Sequence, residues 1–70
     1  MIVSMLTLKQ LREKHYLSQE DLARKSEMTV STINRLEKGK QKPRLATIRK
    51  LAKALRVKPE YIDFDHKKDG

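Results

Sequence analysis

A short polar set recurs at helical spacing between residues 31 and 38. At about 100° per residue, Ser31, Asn34, Arg35 and Lys38 fall on one helix face, and Val30, Ile33 and Leu36 on the other. The polar face suits nucleobase edges. Arginine pairs bidentately with guanine, asparagine with adenine, and hydroxyls with either. An ordinary solvated helix face has a similar composition, so the distribution of charge must decide between the two.

From Arg35 to Lys58 the cations are Arg35, Lys38, Lys40, Lys42, Arg44, Arg49, Lys50, Lys53, Arg56 and Lys58, against the single acid Glu37. These ten cations and one acid give +9, more than the +8 of the whole chain, so the remainder carries −1. A solvated surface mixes its signs. A one-signed half attracts a phosphate backbone.

Glu37 is the informative exception. It sits beside Ile33 at the margin of the apolar face, and Arg12 holds the equivalent place beside Leu8 and Leu11. Opposite charges at the margins of two apolar stripes are expected to pair, since a lone charge there is costly.

Other chemistry finds no footing. The chain has no cysteine, so disulfides, thiol catalysis and Cys-based zinc sites are excluded. His15 and His66 are far apart, and no metal site is expected. Ser18 has no His or Asp placed to activate it and reads as a helix cap. No phosphate-binding glycine loop or paired-carboxylate arrangement occurs. Neither an enzyme nor a cofactor is expected.

The elements that must carry these residues follow from caps and staples. Thr7, flanked by Leu6 and Leu11 and boxed by Gln10, predicts a helix over 8–15. Ser18, with Leu17, Leu22 and Asp21, predicts a second over 19–26. Thr29, with Met28 and Ile33, predicts a third over 30–38, closed by Gly39. Leu45, Ile48, Leu51, Ala52 and Leu55 mark a fourth over 45–55. Val57, Pro59 and Ile62 indicate a short fifth. The expectation is an all-α domain of five short helices without a sheet. Only Glu27 and Met28 separate the second helix from the cap of the third, a connection of helix-turn-helix type.

Seventy residues with 37% hydrophobic and 37% charged side chains make one small domain of marginal stability. Residues 1–5 read as an N-terminal arm, 6–63 as the domain and 64–70 as a charged tail. No apolar run reaches the roughly 20 residues of a membrane span, and no signal peptide is evident. A cytoplasmic protein without membrane contact is expected.

The segments 17–25 (LSQEDLARK), 31–40 (STINRLEKGK), Pro43 and 51–55 (LAKAL) closely resemble the Xre/Cro-type helix-turn-helix repressors, over about residues 6–62. The resemblance implies a lambda-repressor-like domain with its third helix in the DNA major groove. It implies base-facing roles for Thr29, Val30, Ser31, Asn34 and Arg35. It implies phosphate contacts from Gln19, Lys38, Gly39, Lys40 and Lys42, with Arg44 near the backbone or minor groove. Members commonly pair the residues matching Arg12 and Glu37. This chain departs from the pattern at Tyr16, Glu27 and Arg56, where the family often has glycine, and at Arg44, where a capping residue is usual. Each departure costs roughly 1 kcal/mol if the backbone geometry is kept.

The function this implies is a double-stranded DNA-binding transcriptional regulator, most simply a repressor on a palindromic operator. A homodimer is expected, contacting its copy through Val57, Tyr61, Ile62 and Phe64. The alternative is an antitoxin, whose partner is a toxin and whose DNA binding regulates its own operon. A phage switch protein or restriction controller would differ only in genomic setting.

Overall fold

Three hydroxyl side chains set where the first three helices begin. In this computed structural model, which describes residues 5–64, Thr7 Oγ1 accepts the Gln10 backbone N–H at 3.2 Å. Gln10 Oε1 returns the favour to the Thr7 N–H at 3.0 Å and opens α1 (Leu8–Lys14). Ser18 and Asp21 make the same reciprocal pair, at 3.0 and 3.1 Å, ahead of α2 (Gln19–Lys25). Thr29 accepts the Thr32 N–H at 3.2 Å ahead of α3 (Val30–Glu37). Before α4 (Leu45–Leu55), Arg44 has the extended backbone of a cap but makes no capping bond.

All four helices end in the same way. The bond pairs are Tyr16 N–H to the Glu13 carbonyl with Leu17 N–H to Arg12, and Glu27 to Arg24 with Met28 to Ala23. Gly39 to Leu36 with Lys40 to Arg35, and Arg56 to Lys53 with Val57 to Ala52, complete the set. These are Schellman turns, which need a left-handed residue just past the helix. Tyr16, Glu27, Gly39 and Arg56 supply it, at φ of 56°, 58°, 72° and 57°. The three positions where the family often has glycine therefore keep the glycine conformation in spite of their side chains. Leu17, Met28 and Val57, the residues that follow, pack against the core. The turns also stop the first three helices one residue short of the expected ends.

Leu8 and Leu11 of α1, Leu22 and Ala23 of α2, Ile33 and Leu36 of α3, and Leu51, Ala52 and Leu55 of α4 form one core. Ile62 joins them at 4% exposure. Val30 and Leu45 were expected on the apolar stripes but are exposed. Each is the first residue of its helix, ahead of the turns that cross the core.

The fifth helix is not formed. Pro59–Tyr61 make a single 3-10 turn, after which Ile62 is extended. The expectation of no sheet also fails, because β1 (Leu6–Thr7) and β2 (Ile62–Asp63) pair in parallel, Leu6 opposite Ile62. Burying Ile62 against Leu6 holds the chain extended where a helix would turn it away. The same burial removes Ile62 from the expected dimer surface, and Val57 and Phe64 also pack on the monomer's own core. Most of the expected arm and tail, residues 1–4 and 65–70 with His66, lies outside the described residues. Among the described residues no helix is long and apolar enough to cross a membrane.

Candidate nucleic-acid interface

α3 buries Ile33 and Leu36 and leaves its opposite side outward. Ser31, Arg35 and Lys38 are exposed and Asn34 is half-buried. Thr29 and Val30, at the start of the helix, are also exposed. The Thr29 hydroxyl is engaged in capping and lies 3.0 Å from the Thr32 hydroxyl, so the Thr29 methyl is its freer group. The five positions expected to face bases thus share one accessible strip along α3 and its N-terminus.

Past that helix the chain is basic and open. Lys38, Gly39, Lys40, Lys42 and Arg44 are all exposed. Gly39 turns the chain, and no atom lies within 4 Å of the place its Cβ would occupy. Arg44 has no acceptor with which to cap, and among the described residues its guanidinium is in no ion pair.

The orientation of α3 is held from behind. Arg12 of α1 donates from Nε to Glu37 Oε2 at 2.6 Å and from a terminal nitrogen to Glu37 Oε1 at 3.2 Å. Its other terminal nitrogen donates to the Leu17 carbonyl at 2.9 Å. Gln19 Nε2 donates to Glu37 Oε1 at 3.0 Å. This cluster ties α1, the α1–α2 turn and the start of α2 to the end of α3. The hydrogen bond to Glu37 holds the Arg12 pKa above its ordinary value, against the opposing effect of burial.

Gln19, expected at a phosphate, gives one amide N–H to Glu37. Its half-buried side chain keeps a second N–H and its carbonyl oxygen. Periodicity alone did not reveal this third member of the cluster, because an uncharged amide at the first position of α2 carries no sign that would pair it with Glu37. Among the described residues no buried side-chain nitrogen or oxygen lacks a partner, and no group of His, Asp and Glu is arranged to hold a metal. The site's open chemistry is therefore on its surface: hydrogen-bond donors on α3 and cations beyond it.

The model of the helix-turn-helix family matches residues 8–62, from the first residue of α1 to β2. The chain belongs to the Xre-like helix-turn-helix family. That family is a non-enzymatic class of DNA-binding transcriptional regulators. Within it, the chain is 47% identical over 55 residues to an uncharacterized HTH-type transcriptional regulator of Methanocaldococcus jannaschii, covering 79% of this chain and 83% of that protein. Among solved structures it is similar to the restriction-modification controller protein C.AhdI of Aeromonas hydrophila. The TM-score is 0.75 at 39% identity, over 77% of this chain and 82% of that one. The family's helix-turn-helix is α2, the Glu27 turn and α3.

Proposed function

We propose that the chain is a repressor that binds a palindromic operator in double-stranded DNA as a homodimer. The observation that carries this reading is the pairing of two surfaces. The outward strip of α3 bears Ser31 and Arg35, and the exposed cations Lys38, Lys40, Lys42 and Arg44 follow it directly. The strip reads bases through Thr29, Val30, Ser31, Asn34 and Arg35. The cations, the Gly39 backbone and the second amide N–H of Gln19 hold phosphate. Similarity to a transcriptional regulator and to a restriction-modification controller supports a role in transcriptional control.

One recognition helix reads only a few base pairs, and a two-fold dimer doubles the site. With Ile62 buried, the proposed contact moves outward to the half-buried Tyr61 and Phe64. Exposed Met5 and half-buried Ile48 line the same cleft as Phe64. Selection from a random duplex pool tests the reading: wild type should recover an inverted repeat, and sedimentation of the complex should give two chains per site. Arg35→Ala should lose preference at one symmetric pair of positions. Recovery of no site by wild type would overturn sequence-specific binding.

A further inference from the structure

A second basic surface lies outside the outward strip of α3. The end of α2, the helix-helix turn and the last turns of α4 enclose an open cleft of about 400 Å³. Lys25, Glu27, Lys50, Lys53 and Arg56 line it, all exposed. None belongs to the proposed base-reading or phosphate-binding set. Lys50 and Lys53 are neighbours on one face of α4, a helix with no acidic residue. Among the described residues none of the four cations is in an ion pair. Such a concentration of like charge raises the chain's self-repulsion and draws in an anionic partner.

The backbone supplies a second, independent observation. Two of the three left-handed residues that are not glycine, Glu27 and Arg56, line this one cleft. Glycine would relieve the backbone at both places but would remove a charged side chain from each. Strain of this kind clusters where a side chain is put to use.

We propose that this cleft docks a carboxylate-rich peptide segment of a partner protein, leaving the α3 surface free for DNA. Lys25, Lys50, Lys53 and Arg56 would take the carboxylates. Glu27 would accept from a donor within the same segment. Glu27 is also the reason to prefer a peptide to a second duplex: a uniform line of phosphates offers it nothing but repulsion, whereas a peptide can mix carboxylates with a cation.

The test uses the full chain and a fluorescein-labelled peptide rich in Asp and Glu with one central Lys, followed by anisotropy and by backbone amide shifts at physiological salt. The expected shifts centre on Lys25, Glu27, Lys50, Lys53 and Arg56 and persist when the selected operator is bound. Lys50→Glu/Lys53→Glu should weaken the peptide by about tenfold or more, and DNA by less than about threefold, because neither residue belongs to the base-reading or phosphate-binding set. Arg56→Gly guards against a trivial loss of fold: it should raise the melting temperature and still weaken the peptide. Shifts centred on Ser31, Arg35 and Lys40, displacement of the peptide by operator, or equal peptide binding by Arg56→Gly and wild type would overturn the proposal. Displacement by non-operator duplex from an operator-bound complex would assign the cleft to DNA and overturn it too.

Discussion

Arg12 and Glu37, twenty-five residues apart, meet in a two-point ion pair whose side chains are only 12% and 4% exposed. Its geometry is the fork-to-carboxylate form that arginine makes and lysine does not. Each nitrogen of Arg12 and each oxygen of Glu37 has a partner, since the remaining arginine nitrogen donates to the Leu17 carbonyl and one carboxylate oxygen is shared with Gln19. Pulling on α3 therefore pulls on α1 and α2 together.

Breaking this pair from one side should be worse than removing it. Arg12→Met or Glu37→Leu alone leaves a charge at the core edge, and each should cost about 3 kcal/mol, the low end for a buried pair, because Arg12 keeps some water contact. The double variant should be less destabilised than either single one, which puts the coupling at about 3 kcal/mol or more, the top of the range for residues in contact. Urea denaturation of the four proteins measures this; additivity would show that the charges act independently. Arg12→Lys should not restore wild-type stability.

The left-handed residues predict the reverse sign. Tyr16 is 95% exposed, so Tyr16→Gly removes backbone strain and almost no packing. It should stabilise by about 0.5–1 kcal/mol, and Glu27→Gly similarly, after allowance for the greater freedom of glycine in the unfolded chain. Gly39→Ala should destabilise by about 1 kcal/mol although nothing stands in the way of the new methyl. Thermal unfolding reads all three, at about 4–8 °C per kcal/mol for a domain of this size.

Asp21 makes part of the stability depend on acid. Its hydrogen bonds with Ser18 hold its pKa below the ordinary 3.8. A group depressed in the folded state contributes above its unfolded pKa and loses that contribution as pH falls through its folded pKa. Wild type should therefore hold its stability down to near 3.8 and lose this part below it. Asp21→Asn should lack this contribution at every pH, so the gap between the two proteins should close as the solution is acidified. Urea midpoints through the acid range check this, and a gap of constant size would refute it.

At Arg44 stability and binding should move in opposite directions. The backbone there is already that of a cap, at φ −83° and ψ 162°, and only the side chain fails to close it. Arg44→Ser should add about 1 kcal/mol of stability. It should weaken binding to every duplex alike, as should Lys40→Ala and Lys42→Ala. Each of the three should reduce the slope of log K against log salt by about 0.9, one phosphate contact. A change of base preference in any of them would move that residue into the base-reading set.

What the residues determined alone is local. Thr7, Ser18 and Thr29 announced three helix starts because a cap and its partner lie three residues apart, within reach of one helical turn. The α4 bounds, the Gly39 turn and the one-signed run from Arg35 to Lys58 were legible for the same reason, since periodicity, φ preference and charge belong to single segments. The Arg12–Glu37 pair was legible because each charge sits at the margin of its own helix's apolar stripe. Tertiary structure decided the rest. Pro59 and Ile62 allowed a helix by local preference, but contact with Leu6 across the domain drew Ile62 into a strand. The Gln19–Glu37 bond and the meeting of Glu27 with Arg56 around one cleft depend on how α2 packs against α3 and α4. Burial of Leu22, Ile33, Leu51 and Leu55 fixes that packing, and it acts between segments that carry no local record of one another.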